Sequence, residues 1–150
     1  MGKYAIASPV LTCILLALPA LARDHTALNG TWTLAPEKCD FAGQAVMEAG
    51  TVMIDEREGN ITVARSFVYK GASGQTFFYR DMTDSQNNAT IHDGKDIKSK
   101  TRWDHGVLKV VTTQNGATTV ESYTLAGDGA LRANVARPGQ PTVTLVFERK

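Results

Sequence analysis

The chain has 150 residues, with 16 basic and 15 acidic side chains, three histidines and two cysteines. That length suits one domain with a real core. A formal net charge of +1 argues against strong non-specific attraction to nucleic acid or to an anionic membrane.

The first 22 residues read as a leader. Lys3 is the only charge before Arg23. An apolar run from Ile6 to Leu18 follows, then Pro19-Ala20-Leu21-Ala22. A basic start, an apolar centre and an Ala-x-Ala end describe a secretory signal peptide cut after Ala22. A membrane anchor is the alternative, because the run approaches the length of a short transmembrane helix. Pro9 and Pro19 punctuate it, and small residues close it. Thr12 before Cys13 argues against a lipidated cysteine. The expected mature domain is 23–150, secreted or periplasmic. Losing Lys3 leaves 15 basic and 15 acidic residues. Cys39 is then alone, so no internal disulfide is available. It is a reactive thiol, a dimer link or, as free cysteines commonly are, a quiet buried one.

Gly30-Thr31-Trp32-Thr33-Leu34 alternates, with Trp32 and Leu34 on one face, as a half-buried strand does. Pro36 ends it. Glu37 to Gly50 is the least strand-like stretch; it suits a helical turn or an open loop, with Phe41, Val46 and Met47 capping the core. Thr51 to Asp55 is a short strand, and Glu56 to Asn60 its turn. Ile61 to Tyr69 is the longest clear strand. Ile61, Val63, Phe67 and Tyr69 share a face, and Arg65 falls within that apolar row. Gln75 to Arg80 carries Phe77 and Tyr79 on one face. Ala89 to His92 is brief. Ile97 to Trp103 sets Ile97, Ser99, Thr101 and Trp103 against Lys98, Lys100 and Arg102, and the basic set reads as a solvated face. Val107 to Thr113 and Thr118 to Leu125 flank Asn115-Gly116, the strongest hairpin signal in the chain. Leu131, Ala133 and Val135 alternate with polar residues. Val143, Leu145, Phe147 and Arg149 form the last inward row. About 8–10 short strands, turn-linked and without a long amphipathic helix, make an all-β protein, a sandwich or an antiparallel up-and-down β-barrel. A barrel in which the first and last strands meet removes the edges that a sandwich must protect.

Gly30-Thr31-Trp32 near the mature start, together with Arg149 in the last strand, resembles the calycin pattern of lipocalins. The segment from Gly30 to Lys38 followed by Asp40-Phe41, the Asp93-Gly94-Lys95 turn, and Tyr123-Thr124-Leu125 leading to Asp128-Gly129 resemble small secreted bacterial lipocalin-like proteins of unassigned function. The resemblance implies a barrel whose floor Trp32 closes, with Arg149 packed across the indole. It supplies a fold rather than an activity. True lipocalins also carry a helix beside the barrel, and none is evident here.

Arg65 is the most informative residue. Regular pleating points it inward, and a buried charge is costly unless paired. A two-residue turn at Asn115-Gly116 sets Val110 opposite Glu121 and Leu108 opposite Tyr123, so Glu121 also points inward. Two readings follow. In one, Arg65, Glu121 and Tyr123 orient the polar head of a ligand in a cavity walled by Phe67, Tyr69 and Phe77. In the other, Arg65 and Glu121 form a structural pair in a barrel filled by its own side chains. His25, His92 and His105 show no metal-ligand spacing, and no nucleophile has a marked base. No cofactor, metal or catalysis is expected. The expected function is binding of a small apolar or amphipathic molecule. The alternative is a secreted interaction module, such as a protease or lysozyme inhibitor, offered by fold analogy alone.

Overall fold

The computed structural model describes residues 25–58, 60–71, 76–83, 87–92 and 95–150, with side chains described over 25–58, 60–71 and 99–150. Ten strands follow one another: β1 (Gly30–Leu34), β2 (Met47–Arg57), β3 (Asn60–Tyr69), β4 (Thr76–Thr83), β5 (Asn87–His92), β6 (Lys95–Asp104), β7 (Val107–Gln114), β8 (Ala117–Leu125), β9 (Leu131–Ala136) and β10 (Val143–Arg149). The only helical pieces among the described residues are 3₁₀ turns at His25–Leu28 and Pro36–Lys38. No helix there is long and apolar enough to cross a membrane.

All ten strands form one antiparallel sheet in the order β4-β3-β2-β1-β10-β9-β8-β7-β6-β5. Chain neighbours pair as a meander, and β1 pairs with β10 to join the two halves. The sheet is thus a nearly closed barrel. Its seam lies between β4 and β5, which share no ladder among the described residues.

The alternation of the sequence becomes the wall. On β3, Ile61, Val63, Arg65 and Phe67 are buried and the residues between them are not. Leu131, Ala133 and Val135 do the same on β9, and on β10 Val143, Leu145 and Phe147 are buried together with Val146 on the other face. Lys100 and Arg102 face outward from β6, while Ser99 and Thr101 face inward. Asn115 and Gly116 both take positive φ, 51° and 78°, as a type I′ hairpin turn requires. Gln114 therefore pairs with Ala117, and the register below it runs Val110↔Glu121 and Leu108↔Tyr123.

The stretch Glu37 to Gly50 differs from expectation. It holds the 3₁₀ turn, but β2 already begins at Met47 and carries a bulge between Met47 and Ala49. Ala49 and Gly50 are poor strand formers, and the ladder with β3 overrides that local preference. Met47 is buried and Phe41 packs against the core, but Val46 is 41% exposed and caps nothing.

Cys39 has a local task in this segment. Its thiol donates to the Ala35 carbonyl at 3.2 Å and accepts the Val146 N–H at 3.3 Å. It thereby satisfies a backbone group where the chain leaves the side of β10, before the Asp40↔Thr144 bridge resumes pairing. Burial pushes the thiol pKa up, outweighing the Val146 hydrogen bond, which keeps it protonated and unreactive.

Candidate functional site

The two ends of the barrel are built differently. At one end the 3₁₀ turn His25–Leu28 lies under the strands. Trp32 is fully buried there, and its Nε1 donates to the Leu28 carbonyl at 2.9 Å. Arg149 sits opposite Trp32 in the β1–β10 ladder. Its guanidinium carbon lies 4.3 Å from the indole centroid. Its two terminal nitrogens donate to the carbonyls of Asn29 and Ala27 at 2.8 and 3.0 Å. His25 stacks on Trp103 at 4.0 Å, and Trp103 Nε1 donates to Glu56 at 3.1 Å. This end is a closed floor.

The opposite end is open. A cavity of about 200 Å³ enters the barrel there, with Arg65 and Glu121 among its lining residues. Arg65 is only 2% exposed and Glu121 13%, and the two form an ion pair through Arg65 Nη1 and Glu121 Oε2. The Tyr123 hydroxyl donates to the same carboxylate oxygen at 3.3 Å. Phe67 and Tyr69 line the wall, so the cavity gathers Arg65, Glu121, Phe67 and Tyr69. Tyr123 is not on its surface; it is buried and supports Glu121 from the side. Phe77 pairs with Phe67 in the β3–β4 ladder, but its side chain lies outside the described residues. Thr101 lies on the same rung, through Thr101↔Val110↔Glu121. It is fully buried, and among the described residues its hydroxyl has no hydrogen-bond partner.

Sequence reasoning missed the mouth. Met47 and Arg137 line the cavity. They also line an outer hollow of about 500 Å³ between the β1–β2 connection and the β9–β10 turn. Gln44 ties these two loops together. Its Nε2 donates to the Pro141 carbonyl at 2.7 Å, and its Oε1 accepts from Arg137 Nη1 at 3.1 Å. The missed signal was parity: Arg137 continues the inward row Leu131, Ala133, Val135, one residue before Pro138. Burial raises the pKa of the Tyr69 hydroxyl, and the nearby Arg137 charge opposes that rise.

Among the described residues, no three His, Cys, Asp or Glu side chains come together as metal ligands. Neither any family model nor any curated protein matches the sequence. Solved structures do match. A REP1-NXSQ fatty acid transporter has a TM-score of 0.61 at 15% identity, over 82% of this chain and 96% of that one. A Schistosoma mansoni fatty acid binding protein in complex with arachidonic acid has a TM-score of 0.61 at 15% identity, over 84% and 98%. Apo Caenorhabditis elegans lipid binding protein 8 has a TM-score of 0.61 at 10% identity, over 83% and 96%. The fold is that of the fatty-acid-binding, calycin-type β-barrels.

Proposed function

We propose that this barrel is a receptor for a small amphipathic molecule, and that it binds without catalysis. The observation that carries this reading is the cavity itself: an open, partly apolar cup that reaches a buried, internally neutralised Arg65–Glu121 pair. Polar side chains (Thr112, Gln114, Thr119) share the lining with apolar ones (Phe67, Val135, Leu145), so the cup is more polar than the usual small-molecule site and suits an amphipathic rather than a wholly apolar molecule. The names of the structural neighbours, fatty-acid and lipid-binding proteins, point the same way. We further propose a secreted or periplasmic setting, on the leader-like pattern of the first 22 residues.

Volume limits the occupant. The inner cavity, about 200 Å³, is smaller than the ~300–1,000 Å³ of common ligand pockets. A cavity of roughly 150 Å³ takes a benzene ring. A one-ring body or a short chain fits inside, and anything longer extends into the outer hollow. Arg65 and Glu121 give the inner end polar contacts without net charge.

Native mass spectrometry of the mature protein from its host compartment, before and after organic extraction, tests the reading. The expected result is a small adduct removed by extraction. A protein that is empty on isolation and takes up no apolar probe would refute the receptor role.

A further inference from the structure

We propose that the site takes an acidic amphiphile bound with its acid outward, and that Arg137, held by Gln44 at the mouth, is the residue that reads the acid. The proposal rests on the receptor reading and adds the charge and orientation of the ligand.

Three arginines mark the floor, the middle and the mouth, and their partners differ in kind. Arg149 is used by two backbone carbonyls and the Trp32 ring. Arg65 is neutralised by Glu121. Arg137 donates to one neutral amide oxygen, that of Gln44, and among the described residues it makes no ion pair. Among the described residues the cavity lining therefore carries two cations and one anion, and that anion is taken by the inner arginine. The outer hollow adds no acid: Arg137 is its one charged lining residue among those described. A carboxylate or sulfonate entering the barrel meets an uncompensated cation at the mouth. At the inner end it meets a pair whose positive charge is already answered. To pass inward it would have to compete with Glu121 and shed its water, which is the costlier course for an ion.

The mouth is also arranged for such a group. Gln44 is anchored on the Pro141 carbonyl, so its amide oxygen is fixed, and it in turn fixes the guanidinium. The fork has further N–H donors beyond the one it gives to Gln44, and that geometry suits a two-oxygen acid. Tyr69 stands on the same boundary between cavity and hollow. Arg137 lines the same cavity and the same hollow. The ligand body would then lie past Tyr69 and Phe67, with its uncharged end toward Arg65 and Glu121.

The test uses two dyes with one apolar body, anilinonaphthalene sulfonate and the neutral N-phenylnaphthylamine, titrated by fluorescence into the folded mature protein. Wild type should bind the sulfonate more tightly, with a preference that falls as salt rises. Arg137→Gln should weaken the sulfonate about tenfold, the size of one lost charge-assisted contact, and leave the neutral dye unchanged. The neutral dye, with the melting temperature, reports whether the variant is folded and its cavity intact. The double variant Arg65→Met, Glu121→Leu should keep the preference for the sulfonate. If the double variant loses that preference while Arg137→Gln retains it, the acid binds inward and the proposal is wrong. Equal binding of both dyes to wild type also overturns it. Failure of wild type to bind either dye sinks the receptor reading itself, a different outcome from these.

Discussion

The floor and the mouth of the barrel use similar parts. Each has an arginine, an aromatic ring and a neighbouring segment that supplies a hydrogen-bonding oxygen. At the floor, Arg149 caps Trp32 and ends on two carbonyls, and Trp32 itself bonds to Leu28. At the mouth, Arg137 lines the same cavity and hollow as Tyr69 and ends on Gln44 alone. The first set satisfies its own polar groups and shuts the barrel. The second leaves donors facing a hollow. The difference teaches that the type of residue does not separate a structural arginine from a binding one; the number of partners already on its guanidinium does.

The comparison can be broken most forcefully between the two ends, at the buried pair. Glu121→Leu removes the carboxylate from an arginine that is 2% exposed, and should cost about 3–5 kcal/mol in urea unfolding. Adding Arg65→Met to it should restore most of that loss, since a well-packed apolar pair is often as stable as the ions it replaces. A double variant as unstable as Glu121→Leu would show that the region needs polar groups for reasons other than charge balance.

At the floor, Gly30→Ala should cost about 1–3 kcal/mol. Gly30 has φ of 139°, and a Cβ there would sit 2.8 Å from Arg149 Nη1. The substitution strains the backbone and pushes the cation off the Asn29 carbonyl together. An unchanged unfolding midpoint would mean that the floor is not held by this contact.

At the mouth, Arg137→Gln should change stability least, by no more than about 0.5 kcal/mol. Its side chain is half-buried at the mouth, and its one charge-assisted hydrogen bond, to the Gln44 amide oxygen, borders the open hollow. A large loss of stability there would erase the distinction between the two ends and make Arg137 a second structural arginine.

Much of the architecture was legible because alternation is local. A period of two in Ile61 to Tyr69, or in Leu131 to Val135, sets which side chains share a face whatever the strands pair with. The hairpin was legible too, because Asn115-Gly116 tolerates the positive φ of its turn, and the turn then sets the register that turns Glu121 inward. With parity placing Arg65 and the hairpin placing Glu121, both charges of the inner pair could be put inside the barrel from the sequence. The stretch from Glu37 to Gly50 was the least readable. Its strand depends on β3, and its 3₁₀ turn and thiol depend on β10, a hundred residues away along the chain.

By itself, then, the sequence determined the all-β class, the inward rows and the turn registers, because these follow from backbone sterics and side-chain spacing over a few residues. Tertiary structure alone decided that the Arg65 and Glu121 heads meet, that a cavity of about 200 Å³ survives beside them, that Arg137 edges the mouth, and that the seam falls between β4 and β5. Those are outcomes of how ten strands curve and pack, and no local pattern encodes the space left over when a barrel closes.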